Sequence, residues 1–167
     1  MVGGDTSTAD DATAGGALAV GSTAPDFALS DQYGATVRVS EFHGEKAVLL
    51  VFYPFSFTGV CTSEMRALQK RIDAFQTDTV QVLGVSCDSP YVQRVFAEEE
   101  RLTFPVLADN WPHGATAQAY GVFDDEVGAA RRGTFVIDTD GVIRWTVVNA
   151  IPNARNTEKY VAALAAL

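Results

Sequence analysis

Residues 46–54, Lys-Ala-Val-Leu-Leu-Val-Phe-Tyr-Pro, constrain the fold more than any other stretch of this 167-residue chain. From Ala47 to Tyr53 there is no polar alternation to leave one face in water, so the run reads as a strand buried on both faces. Pro54 cannot donate to a strand ladder and ends it. A few residues later the period changes. Met65, Leu68, Ile72 and Phe75 recur at helical spacing, with Arg66, Gln69, Lys70, Arg71 and Asp73 turned outward. A doubly buried strand feeding directly into a helix implies a layered α/β arrangement.

The remaining sequence continues that alternation. Residues 79–87 form a second apolar run, and Ser89 with Pro90 opens a helix to about Glu100. Residues 103–109 are extended because Pro105 disfavours helix before it. Residues 113–123 predict a short helix ending near Gly121. Strands at 131–138 and 142–149 are joined by the Asp-Thr-Asp-Gly turn at 138–141, and residues 156–167 close the chain as an amphipathic helix. Before all of these, residues 26–40 predict a hairpin turning at Asp31 and Gly34. From residue 47 the order is β, α, β, α, β, α, β, β, α, which favours a mostly parallel sheet. No internal repeat and no second domain are visible, so residues 21–167 are read as a single domain.

Composition excludes several partners. The net charge is −9, with three lysines against nine arginines, so nucleic acid and anionic membrane surfaces would be repelled at long range. The longest uncharged apolar run, residues 47–55, is far short of the roughly 20 residues that span a bilayer. Residues 1–20, rich in Ala, Gly, Thr and Asp, lack the basic and apolar segments of a secretory leader and are expected to be a flexible acidic tail. Two cysteines without a leader fit a reducing, cytoplasmic setting, where a cysteine is more often buried or reactive than bridged.

Cys61 is the chemically pointed residue. Thr58 is a suitable N-cap three positions earlier, which puts Cys61 in a first helical turn. Free backbone N–H groups and the positive end of the helix dipole favour a thiolate there, and thiolate is the nucleophilic form. Its i+3 neighbour Glu64 opposes that charge, so a cation must come from elsewhere. Arg131 and Arg132, opening a late strand, are the candidates, with Glu64 holding the arginine by charge-assisted hydrogen bonds. Glu64 also occupies the position a Cys-x-x-Cys dithiol would need. His43, Cys61, Cys87 and His113 show no paired zinc spacing, so no metal is expected; His43 is read as a loop-surface residue and His113 as a turn residue or helix cap. Cys87 is read as a small buried side chain.

Pro-Phe-Ser-Phe-Thr-Gly-Val-Cys at 54–61 resembles the P-x-x-x-T/S-x-x-C motif of the peroxiredoxins. Residues 132–138, Arg-Gly-Thr-Phe-Val-Ile-Asp, resemble that family's arginine-bearing late strand, and residues 21–34 its opening G-x-x-A-P-D-F-x-L segment. Trp-Pro-His-Gly at 111–114, followed by Ala-Tyr-Gly-Val-Phe at 119–123, is similar to the one-cysteine, alkyl hydroperoxide reductase E-type subfamily. The resemblance implies a thioredoxin-like three-layer α/β fold, with a central mixed sheet flanked by helices and an N-terminal β-hairpin extension. It implies a thiol-dependent peroxidase without metal, flavin or haem. Cys61 would be the peroxidatic cysteine, forming a sulfenic acid with hydrogen peroxide or an organic hydroperoxide. Thr58 and Arg132 would orient the peroxide, Pro54 would shield the sulfur, Glu64 would contact the arginine, and the Val60 and Cys61 N–H groups would bind peroxide oxygens. Phe52, Phe55, Phe57 and Trp111 are candidates for an apolar mouth, with ordinary core or dimer packing as the alternative. An external thiol of thioredoxin, mycoredoxin or low-molecular-weight type would regenerate Cys61, with Cys87 as resolving cysteine the alternative. A homodimer or higher oligomer is implied.

Overall fold

The computed structural model describes residues 16–167. Its strands are β1 (Leu29–Ser30), β2 (Thr36–Val37), β3 (Ala47–Phe52), β4 (Val80–Ser86), β5 (Val106–Ala108), β6 (Phe123–Asp124), β7 (Ala129–Ala130), β8 (Arg132–Ile137) and β9 (Ile143–Asn149). The helices are α1 (Gly59–Lys70), α2 (Ile72–Phe75), α3 (Pro90–Glu100), α4 (Ala115–Ala119) and α5 (Glu158–Ala165), with a 3-10 turn at Val39–Phe42. One sheet runs β2-β1-β5-β4-β3-β8-β9, and β6 and β7 form a small hairpin apart from it.

The sheet is mixed rather than mostly parallel. β4 lies parallel to β3 and β5, whereas β8 runs antiparallel to both β3 and β9, and β1 antiparallel to β2 and β5. The physical reason lies in the connections. Short turns such as 138–141 force antiparallel neighbours, and only the helical crossovers through α1 and α3 return the chain in the same direction. The predicted helix through Phe75 breaks at Arg71, whose N–H donates to Leu68 O at 3.1 Å in a tightened last turn. The β6–β7 hairpin is too short to give a period-2 signal.

Strand alternation divides the core into two faces. Val48, Leu50 and Phe52 of β3 pack with Leu83, Val85, Tyr120 and Phe135 on one. Leu49, Val51 and Tyr53 pack with Cys61, Met65, Leu68, Phe96 and Tyr160 on the other, beneath α1, α3 and α5. β3 is therefore buried on both faces along its whole length. Truncating Leu49 or Leu50 to alanine is expected to remove about 2–5 kcal/mol of stability.

The expected tail at 1–20 falls largely outside the described residues. Of those described, Ala17 and Leu18 pack against the first core, and Leu18 N–H donates to Tyr120 O at 3.2 Å. Gly121 permits this crossing: a Cβ there would come within 1.9 Å of Gly16 O. No helix among the described residues is long and apolar enough to cross a membrane.

Candidate active site

After β3 the buried Pro54 turns the chain out of the sheet, and residues 55–58 lead into α1. Phe57 takes a left-handed conformation, φ +68°, which is costly for a bulky side chain. Thr58 occupies the N-cap position in extended geometry, but its side chain does not cap a helix N–H. Its Oγ1 instead donates to Phe55 O at 2.8 Å, closing the turn from within. Cys61 follows in the first turn, beside N–H groups that have no intrahelical acceptor, and its side chain is fully buried.

The cation facing that sulfur is Arg132, the first residue of β8. Its Nη1 donates to Cys61 Sγ at 3.2 Å and to Glu64 Oε1 at 2.6 Å, and its Nε donates to Ile151 O at 2.5 Å. Arg131 goes elsewhere because adjacent strand residues point to opposite faces; its Nη2 donates to Gly121 O at 2.8 Å.

A second guanidinium completes the cluster. Arg155 lies in the loop before α5 and is buried. Its backbone N–H and Nε donate to Glu64 Oε2 at 2.7 and 2.9 Å, and its Nη2 donates to Glu64 Oε1 at 2.9 Å. Its Nη1 reaches Phe52 O, Gly133 O and Thr134 Oγ1 at 2.7, 2.9 and 3.1 Å. Burial pushes the Glu64 carboxyl up, but hydrogen bonds and charge from Arg155, with the charge of Arg132, hold it below the usual carboxylate range. Two buried cations thus share one buried carboxylate, and the excess positive charge faces the sulfur. Nothing local in sequence marks Arg155. It is a single cation in a loop about ninety residues from Glu64, and only the packing of that loop against α1 brings them together.

The aromatic candidates separate. Phe52 does not line an opening at Cys61: it points to the opposite sheet face, packed against Tyr120 and Phe135 at ring distances of 5.4 and 6.0 Å. Alternation along β3 decides this, since Phe52 has the parity of Leu50 rather than Val51. Phe55 and Phe57 are exposed beside the turn, the latter 50 % exposed and packed edge-on against Phe96. Trp111 is 83 % exposed in the loop after β5, two strands from β3. His43 is exposed, and His113 Nε2 pairs with Gly128 O at 2.6 Å. Among the described residues no three His, Cys, Asp or Glu side chains are grouped to hold a metal ion.

Cys87 stands one residue beyond β4, hydrogen-bonded by the backbone of Ala130, which packs in the core on the opposite sheet face from that of Cys61. Burial and the charges of Asp109 and Asp88 push its thiol up to about 12, against a backbone hydrogen bond from Ala130. A groove of about 750 Å³ opens at the other end of the sheet, between the starts of β3 and β4 and the end of α5.

A mixed sheet with a buried cysteine in the first turn of the helix after β3, met by an arginine from the antiparallel neighbour strand, defines a thioredoxin-like thiol enzyme. The chain belongs to the AhpC/TSA family, whose model matches residues 20–146, and it is a peroxiredoxin, a thiol-dependent peroxidase. It is 43 % identical over 150 residues to alkyl hydroperoxide reductase E of Mycobacterium tuberculosis, covering 90 % of this chain and 98 % of that one. Among solved structures, the M. tuberculosis peroxidoxin BcpB superposes with a TM-score of 0.79 at 31 % identity, covering 89 % of this chain and 97 % of that one. Enterococcus faecalis AhpC gives 0.80 at 30 % identity over 88 % and 90 %.

Proposed function

We propose that Cys61 is the peroxidatic nucleophile, that it reduces hydrogen peroxide and organic hydroperoxides, and that an external thiol reduces it again. The observation that carries this reading is the Arg132 Nη1 to Cys61 Sγ contact at 3.2 Å, with Glu64 and Arg155 fixing the guanidinium. A thiolate at this place is met by a charged donor and by the N-terminal turn of α1.

The reaction follows from those donors. The Cys61 thiolate attacks one peroxide oxygen as the O–O bond breaks; sulfur is oxidised to a sulfenic acid and the other oxygen leaves as hydroxide or alkoxide, taking a proton to become water or an alcohol. Arg132 and the Val60 and Cys61 N–H groups are placed to stabilise charge on the leaving oxygen, an interaction that strengthens in the transition state. Thr58, whose hydroxyl hydrogen is committed to Phe55 O, keeps its oxygen lone pairs for the peroxide proton. Pro54 excludes water behind the sulfur, and the exposed rings of Phe55 and Phe57 suit an organic hydroperoxide.

Regeneration consumes two external thiols. The first displaces water from the sulfenic acid to give a mixed disulfide, and the second releases Cys61 as the external thiols become a disulfide. The sheet between Cys61 and Cys87, and the protonated state of Cys87, support this over internal resolution. Residues 21–167 act as one domain in this reading, in the cytoplasm and as a dimer or larger oligomer. The test is mass spectrometry after one equivalent of peroxide. A sulfenic acid trapped at Cys61 is expected, and a stoichiometric Cys61–Cys87 disulfide would overturn the one-cysteine cycle.

A further inference from the structure

One buried polar cluster beside the site takes no part in the chemistry above. Tyr53 is fully buried, and its hydroxyl donates to Gln93 Oε1 at 2.5 Å and lies 3.0 Å from Ser56 Oγ. Ser56 Oγ reaches the same Gln93 oxygen at 3.2 Å. Gln93 Nε2 donates to Ser86 Oγ at 2.7 Å and to Leu107 O at 3.0 Å. Both amide hydrogens and both oxygen lone pairs of Gln93, which is fully buried on α3, are therefore used. Asp88 adds a second hold: its Oδ2 accepts from Ser56 N–H at 2.9 Å and from Ser86 Oγ at 2.6 Å.

Tyr53, Gln93 and Asp88 of this cluster all reach Ser56, the residue before the left-handed Phe57 and two before Thr58. A phenylalanine at φ +68° persists only where its surroundings over-determine the turn. Here the backbone is gripped on the Ser56 side by Asp88 and Gln93, and the Phe57 ring is gripped by Phe96, one turn along α3 from Gln93, at 5.2 Å. The turn in question delivers Thr58 and the first N–H groups of α1 to Cys61.

We propose that Gln93 and Asp88 are positioning residues: from α3 and the end of β4 they lock the strained Ser56–Phe57 turn, and with it the peroxide-binding geometry around Cys61. The inference rests on the reading of Cys61 as the peroxide-reacting thiol. Neither residue touches the sulfur, so their effect is on orientation and not on the presence of a thiolate. A displacement of about 1 Å in such a shell can cost roughly a hundredfold in rate.

The experiment compares two reactions of the same sulfur in the full-length chain, each assigned to Cys61 by peptide mass spectrometry. Oxidation by hydrogen peroxide needs the full oriented pocket; alkylation by iodoacetamide needs only a reachable thiolate. Gln93→Met keeps the length of the side chain and removes all four hydrogen bonds. It is expected to slow oxidation by about 10–100-fold while alkylation stays within about threefold of the wild type or becomes faster. Asp88→Ala, in a half-buried position that tolerates truncation better, is expected to slow oxidation while sparing alkylation, as Gln93→Met does, and Asp88→Asn, whose carbonyl oxygen still accepts from Ser56, to restore most of the oxidation rate. Should Gln93→Met fail to fold by circular dichroism, the Asp88 pair decides alone. An oxidation rate reduced by less than about tenfold, or a parallel fall in both rates, overturns the proposal. If wild-type Cys61 is itself not oxidised, the parent reading fails instead, before any variant is compared.

Discussion

Cys61 and Cys87 follow neighbouring parallel strands, β3 and β4, on the same side of the sheet's length, yet their surroundings oppose each other. Cys61 sits in the first turn of α1, on the face covered by α1, α3 and α5, with Arg132 donating to its sulfur. Cys87 lies toward the other face, between Asp88 and Asp109, where anionic neighbours and burial keep its proton in place. Burial and anionic neighbours suppress thiolate at the second, whereas the first has a charged donor 3.2 Å from its sulfur. Residue type therefore says little about reactivity here. What separates the two is one helix start, one arginine and the parity of a strand.

The comparison breaks most sharply at the nucleophile: Cys61→Ser is expected to lower peroxide consumption by at least about a thousandfold, measured by stopped-flow loss of peroxide. With Cys87 pushed up to about 12, its alkylation by iodoacetamide at pH 8 should run roughly a thousandfold slower than that of an unhindered thiol and climb about tenfold per pH unit; rapid labelling of Cys87 at pH 8 would show its field to be misjudged. Arg132→Leu should cost about 10²–10³-fold in the rate of Cys61 oxidation, as for loss of a charged donor at a developing oxyanion; a rate within threefold of the wild type would remove the arginine from the reaction.

Glu64→Gln tests the support beneath that arginine. Leaving two buried guanidinium groups without their carboxylate should destabilise the fold by about 3–5 kcal/mol near neutral pH. Because the folded carboxyl is held below its unfolded value, its contribution is present above the usual carboxylate range, about pH 4.3, and is lost as pH falls through the depressed folded value. Urea midpoints should therefore differ most between wild type and variant at pH 6–7 and draw together as pH falls below the usual carboxylate range. The smallest effect belongs to Cys87→Ser, which should leave the first turnover within about twofold in the same stopped-flow assay.

Much of the fold was legible because its signals are local. The unbroken run at 47–53, the punctuation by Pro54, Ser89 and Pro90, and the turn at 138–141 place β3, the start of α1, α3 and the β8–β9 hairpin almost to the residue. The failures share one cause. Phe52 looked like part of an opening beside Cys61 because they are neighbours in sequence, whereas sheet parity sends it through to the other core. Thr58 was placed correctly as the residue before α1, but the strained turn draws its hydroxyl to Phe55 O instead of to a helix N–H. Arg155 carried no signal at all, since a buried ion pair is defined by what packs around it.

By itself the sequence determined the strand-to-helix step that carries Cys61, the acidic surface and the choice of a thiol as the reactive group, because periodicity, capping and charge are read over a few residues. The family resemblance already pointed to Arg132 as the arginine at the sulfur; only the tertiary structure decided that Glu64 is shared between two cations and that Cys87 lies toward the other face of the sheet. Those are contacts between residues some seventy to ninety positions apart or between opposite sheet faces. The packing of β8 against β3 and of the 150–156 loop against α1 creates them, and electrostatics at 3 Å depends on that packing.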